Sequence, residues 1–191
     1  MSKYLFIGGH TDDCELAAGG TMLKLKEQGH EVDYLCLSFC GNYSLKQECI
    51  LASKILGVIP VIHDFPVRCF SSQPNKIADI LYKRDQYDFV FTHSGSDRHP
   101  DHRTVAEASL RIFNCSLLTY ISPWNGHEQP NFFVEITKSQ LDQKIDALSC
   151  YKSQAHRHYM SPEFIRAQAI YNGVKCVKQY AEGFRSLRLA Y

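Results

Sequence analysis

Apolar and polar positions along the chain fall into two alternating patterns. Residues 3–8 read as a strand buried on both faces, built on the apolar run Tyr4-Leu5-Phe6-Ile7. Residues 15–28 then place Leu16, Met22, Leu23 and Leu25 on a helical repeat that Gly29 stops. The alternation continues with a strand over 31–39, a turn over 41–44 and a helix over 45–56 closed by Gly57. Residues 58–63 are β-branched but broken by Pro60, which suits a short strand near a sheet edge. After a loop over 64–74 the pattern predicts a helix at 75–84, a strand at 87–92 and a helix at 100–114 with Pro100 in its first turn. Strands at 117–121 and 131–136 flank an irregular loop, helices follow at 138–150 and 162–173, and residues 175–184 read as a further helical stretch.

Buried strands alternating with helices require a mainly parallel sheet with helices on both faces, because parallel strands need crossovers. The expected fold is therefore α/β, a Rossmann-like three-layer αβα sandwich formed by one domain over residues 1–191. In the commonest doubly wound strand order the first and fourth strands are neighbours, and ligands bind beyond their carboxyl ends.

Composition narrows the partners. The chain is 45% hydrophobic and 21% charged with a net charge of +1, and its basic residues are scattered, so nothing calls for a nucleic-acid or membrane partner. Eight cysteines occur without a C-x-x-C pair, which reads as small buried hydrophobes in a reducing compartment. Met1-Ser2-Lys3 runs straight into the first strand and no apolar stretch approaches a membrane span, so a cytoplasmic protein is expected.

The chemistry concentrates at two strand ends. Gly9-His10-Thr11-Asp12-Asp13-Cys14-Glu15 follows the first strand, and Asp97-Arg98-His99-Pro100-Asp101-His102 follows the fourth. No G-x-G-x-x-G accompanies the first segment, and its carboxylates would repel a pyrophosphate. A divalent cation suits the place better. His10 and Asp13 can converge on one ion across a strand-to-helix turn, either His99 or His102 can be the third ligand, and Asp12 stays free to take a proton from water. The plainer alternative makes each segment a helix cap, Asp12 with Glu15 as a capping box and His99 ahead of proline.

These segments resemble the A-H-P-D-D and H-P-D-H motifs of the PIG-L/LmbE-like deacetylases, zinc-dependent hydrolases of N-acetylated sugars. Gly19-Gly20, Lys54-Ile55-Leu56-Gly57-Val58 and Ala181-Glu182-Gly183-Phe184 extend the similarity over nearly the whole chain. The resemblance implies that His10, Asp13 and His102 hold Zn2+ (Fe2+ or Co2+ being compatible with such donors), that Asp12 is the general base, that His99 acts as electrophile or acid, in protonated form, and that Asp101 orients its neighbours. It implies a small-molecule amino-sugar substrate and is compatible with a homo-oligomer. Thr11 and Gly9 replace the motif's proline and alanine, and the place of an arginine found in many relatives is taken by Leu45 or Lys46; Arg68 and Lys46 are candidates to substitute for it.

Further candidates to touch substrate are Arg98, Trp124, Asn125 and His127, with Tyr151, Gln154 and His156 in a second loop. The leading expectation is removal of an acetyl group from a GlcNAc-type sugar. The alternatives are a metal-dependent amidase acting on another N-acyl small molecule, such as an antibiotic or a thiol-pathway intermediate, and a non-catalytic sugar- or metal-binding module.

Overall fold

A computed structural model describes residues 1–84, 86–122 and 125–190. Seven strands form one sheet: β1 (Lys3–Gly8), β2 (Glu31–Cys36), β3 (Pro60–Ile62), β4 (Phe89–Thr92), β5 (Ser116–Tyr120), β6 (Phe132–Glu135) and β7 (Ala181–Arg188). Six α-helices accompany them: α1 (Asp13–Glu27), α2 (Tyr43–Ile55), α3 (Pro74–Tyr82), α4 (Pro100–Ile112), α5 (Lys138–Ser149) and α6 (Pro162–Lys175). The strand order is β3-β2-β1-β4-β5-β7-β6. The first five strands pair in parallel, and β7 runs antiparallel to both β5 and β6. This is the mainly parallel three-layer α/β sandwich expected from the pattern, with Pro60 in the edge strand and β1 beside β4.

Because successive side chains of a strand face opposite ways, the continuous apolar strands feed two cores. Phe6, Tyr34, Phe91 and Leu118 pack under the layer of α1, α2, α5 and α6. Leu5, Ile7, Leu35, Val90 and Leu117 pack against Ile77 and Leu81 of α3 and Val105 and Ala108 of α4. At about 1.5–3 kcal/mol per buried large apolar side chain, these two layers fix which strand ends meet. Gly29 and Gly57 end α1 and α2 at positive φ, 79° and 68°, where a side chain would be strained.

The segment read as a helix over 175–184 is corrected. α6 ends at Lys175, Val177 turns into the left-handed region at φ 59°, and residues 181–188 enter the sheet as β7. The reversal is tight. The Lys178 N–H returns to the Gly173 carbonyl at 2.9 Å, and a Cβ on Gly173 would lie 2.7 Å from the Lys178 and Gln179 carbonyl oxygens. Ala181 to Phe184 are all buried, so the period-2 alternation that marks a strand is missing from its first half.

β7 also shapes α1. The helix is broken at Ala18 (φ −142°), and the buried Glu182 carboxylate accepts from the N–H groups of Gly20 (3.0 Å) and Thr21 (2.6 Å), so it caps the second half. Lys144 of α5 completes the arrangement at 2.5 Å. Removing one partner of a buried, hydrogen-bonded ion pair costs about 3–5 kcal/mol. Glu182→Ala should therefore lower unfolding free energy by about that much in urea titrations, whereas Glu182→Leu combined with Lys144→Met should lose less; a single-variant loss below about 1 kcal/mol would contradict this role.

Candidate functional site

Parallel pairing of Tyr4 with Phe89 and Phe6 with Phe91 brings the ends of β1 and β4 side by side. The backbone N–H of Gly9 donates to His93 Nε2 at 2.8 Å, joining the two loops directly. A Cβ on Gly9 would come 3.1 Å from the His102 ring, so the absence of a side chain lets the imidazole seat against the turn.

Three donor atoms converge there. His10 Nδ1 lies 3.5 Å from Asp13 Oδ2, His102 Nε2 lies 3.3 Å from the same oxygen, and the two ring nitrogens are 3.2 Å apart. The edge of a tetrahedron around an ion with ligand bonds of about 2.0–2.1 Å is ~3.3–3.4 Å. A His2Asp donor set at these separations fits a divalent ion of that kind.

Each histidine is aimed by an outer carboxylate. His10 Nε2 is 3.3 Å from Asp101 Oδ2, and His102 Nδ1 is 3.0 Å from Asp97 Oδ2. Asp101 is fully buried and accepts from the N–H groups of Arg68 (2.6 Å) and Phe70 (3.2 Å), which ties it to the loop after β3. Arg68 reaches that position with its backbone in the left-handed region, φ 63°. Asp97 accepts in turn from the His99 N–H at 2.8 Å.

The electrostatics follow from this crowding. Burial pushes the His10 imidazolium down, but the Asp101 and Asp13 carboxylates outweigh it and raise its pKa to about 9. His102 is likewise opposed by burial and raised to about 10 by Asp13 and Asp97. Burial opposes ionisation of Asp13, yet His102, His93 and His10 hold it well below the usual carboxylate range. His93 goes the other way: burial and the neighbouring His102 lower it to about 4, so it is neutral.

His93 is the site residue that sequence reading missed. Its Nε2 is 3.2 Å from Asp13 Oδ2 and its ring stacks on His102 at 3.8 Å. It could form a donor triple with Asp13 and His102, but the Gly9 N–H already occupies its Nε2. The available signal was positional: His93 follows β4 directly, close to where His10 follows β1, but it stands outside any motif spacing.

Asp12 immediately precedes α1, and its side chain makes no capping hydrogen bond, so the capping-box alternative does not describe it. Burial and the adjacent Asp13 raise its pKa to about 6, against the opposing charges of His10 and Arg157. His99 does cap α4, its Nδ1 accepting from the Asp101 N–H at 3.3 Å. Burial and the charges of His10 and His102 lower its pKa, so the protonated form expected from sequence is disfavoured and Nε2 carries the proton of the neutral ring.

The turn between these residues is held from below. The Thr11 carbonyl accepts from the hydroxyls of Tyr34 (2.8 Å) and Tyr151, and the same hydroxyls lie 2.9 and 2.8 Å from the buried Glu15 carboxyl. Burial raises Glu15 to about 8, so its carboxyl holds a proton at neutral pH. Three protons, two phenolic and one carboxylic, then serve four contacts.

A cavity of about 610 Å³ opens above the donors, lined by His10, Asp12 and His99 together with Arg68, Arg98 and Gln154 among others. Arg157 and Tyr159, from the same α5–α6 connection as Gln154, also line it. Tyr151 is the buried clamp and not a cavity residue, Asn125 is buried and bonds the Tyr120 carbonyl, and His127 and His156 are exposed away from the cavity. Lys46 is likewise absent from the lining, its ammonium lying 5.2 Å over the Phe39 ring. Trp124 lies outside the described residues. Cys14 is turned into the core, 3.4 Å from the Tyr120 hydroxyl.

Comparison with known proteins agrees with the fold. The chain is 28% identical to diacetylchitobiose deacetylase of Thermococcus kodakarensis, over 97% of this chain and 83% of that protein. It is 25% identical to 4-oxalmesaconate hydratase of Pseudomonas putida, over 96% of this chain and 88% of that one. A conserved protein of Thermus thermophilus superposes with a TM-score of 0.83 at 26% identity, covering 100% of this chain and 97% of its own. No helix among the described residues is long and apolar enough to cross a membrane. The family model described as GlcNAc-PI de-N-acetylase matches residues 5–113, more than half of the sequence and every donor described above, and the chain belongs to this PIG-L family.

Proposed function

We propose that the protein is a metal-dependent N-deacetylase that hydrolyses the 2-acetamido group of a GlcNAc-type sugar, giving acetate and a free amine, with His10, Asp13 and His102 holding Zn2+. The observation that carries this reading is the convergence of those three donor atoms within 3.5 Å of one another beside an Asp12 carboxylate that is not among them. A zinc ion held there supplies Lewis acidity for a carbonyl and makes water more acidic.

The chain's own groups do the rest. Asp12, with a pKa near 6, is ionised at neutral pH yet basic enough to take a proton from water, and the resulting acid can return it to the departing amine. Neutral His99 donates from Nε2 to the amide oxygen as negative charge develops on it. Asp97 and Asp101 are positioning residues that touch the donor rings. The cavity volume, about 610 Å³, accommodates a sugar with a substituent.

A second reading has one observation in its favour, the match to the Pseudomonas hydratase along nearly the whole chain. Addition of water to a double bond also begins with proton removal from water, which Asp12 serves equally. Amine release from N-acetylated sugars, assayed alongside alkene absorbance with an unsaturated acid, separates the two.

Asp12→Asn should lower kcat for amine release by about 10²–10⁴-fold with bound metal unchanged by elemental analysis; full activity in that variant would remove Asp12 from the base role. Asp97→Asn should weaken metal affinity by about 10–100-fold in competition with a chelator, and unaltered affinity would show that the His102 contact does not tune the donor.

Metal uptake should also report the histidine pKa values. Both rings are protonated below about 9 in the metal-free protein, and a ring must lose its proton to ligate. Zinc binding at pH 7 should therefore release about two protons from the rings, and apparent affinity should rise by about a hundredfold per pH unit up to roughly pH 9. Titration calorimetry in buffers of different ionisation enthalpy measures this, and a pH-independent affinity would mean the rings are already neutral.

A further inference from the structure

Arg68, Arg98 and Arg157 all line the cavity and all are exposed, so they lie at its open side. They come from three separate segments: the loop after β3, the loop ahead of α4 and the α5–α6 connection. No ion pair to a carboxylate is formed by any of the three among the described residues. Arg166 and Arg185, by contrast, each pair with a carboxylate, Asp142 and Glu128.

The acids that line the same cavity are Asp12, Asp13 and Asp97. Two of them are engaged by histidines, Asp13 by three rings and Asp97 by His102. With a divalent cation at the donors, Asp12 is the one lining acid without a histidine partner, and the three guanidiniums outnumber it at the open side. A neutral acetamido sugar has no group that requires three guanidiniums.

Arg157 is also ordered in advance. Its guanidinium donates to the Tyr159 hydroxyl at 2.6 Å and lies over that ring, 5.7 Å from its centroid. A planar fork held in place loses less freedom on binding an anion than a free side chain does. Tyr159 itself lines the cavity, so the stacked pair forms part of its wall.

We propose that the substrate carries an anionic group, a phosphate or a carboxylate, in addition to its N-acyl group, and that Arg157 receives it with Arg68 and Arg98 nearby. This deepens the deacetylase reading and rests on it for the reaction, but not for the binding of the anion. Guanidiniums bind both anions through paired N–H donors, and a charge-assisted contact of this kind contributes on the order of tenfold or more in affinity.

The test uses the zinc-loaded protein and four probes that differ in the charged group and its position: methyl N-acetylglucosaminide, its 6-phosphate, its 6-carboxylate, and N-acetylglucosamine 1-phosphate. Amine release at low ionic strength should give at least one anionic probe about a tenfold or greater advantage in kcat/KM over the neutral one, expressed in KM and reduced by added salt. Arg157→Gln should cut the ratio of anionic to neutral kcat/KM by about tenfold, with Arg157→Lys restoring part of it. The arms distinguish phosphate from carboxylate and the 6-position from the 1-position. Equal kcat/KM for all four probes, or a ratio unmoved by glutamine at all three arginines, overturns the proposal. If no probe releases amine, the deacetylase reading fails, and calorimetric binding of the same probes decides the anion site: tighter binding of a charged probe, weakened in Arg157→Gln, supports it, and indistinguishable binding of charged and neutral probes overturns it.

Discussion

One carboxylate oxygen organises this molecule. Asp13 Oδ2 lies within 3.5 Å of a ring nitrogen of His10, His93 and His102 and accepts the backbone N–H of His10 at 2.7 Å. That oxygen can gather groups from β1, β4 and α4 only because β1 and β4 are hydrogen-bonded neighbours whose carboxyl ends open on the same side. Its negative charge raises the pKa of two of the histidines and is itself stabilised by them, so the electrostatics of the centre are mutual and cannot be assigned to any single residue. Everything further out, from the Asp97 and Asp101 carboxylates to the Thr11 clamp, fixes where this oxygen and its neighbours stand.

Much of this was legible in the sequence because short-range patterns carry it. The strand ends at Gly8 and Thr92, the helix start at Pro100, and the acid/histidine segments beside them are local features, and the doubly wound order then supplies the contact between them. What stayed hidden depends on groups far apart in the chain. Tyr151 reaches the Thr11 carbonyl across 140 positions, and nothing near residue 151 signals that partner. His93 has no motif spacing, and β7 lost its alternation to burial on both faces.

The same distinction separates the two kinds of aspartate in the second segment. Asp97 and Asp101 flank His99 and His102 alike in sequence, yet the fold sends them to different rings: Asp97 to His102 within its own segment, Asp101 across to His10. Asp101 thereby couples the loop after β3, through the Arg68 and Phe70 N–H groups, to a histidine at the end of β1. Residues that would be grouped by adjacency serve opposite sides of the centre.

The placement of β7 bears on how the chain reaches this state. It is the last in sequence of the seven strands described, yet it fills the gap between β5 and β6 and carries the carboxylate that caps the second half of α1. Until those residues leave the ribosome, β6 has no partner and the helix that begins at Asp13 has an unsatisfied break at Ala18. Before β7 docks, the edge of β5 is therefore exposed and open to wrong pairing with another chain.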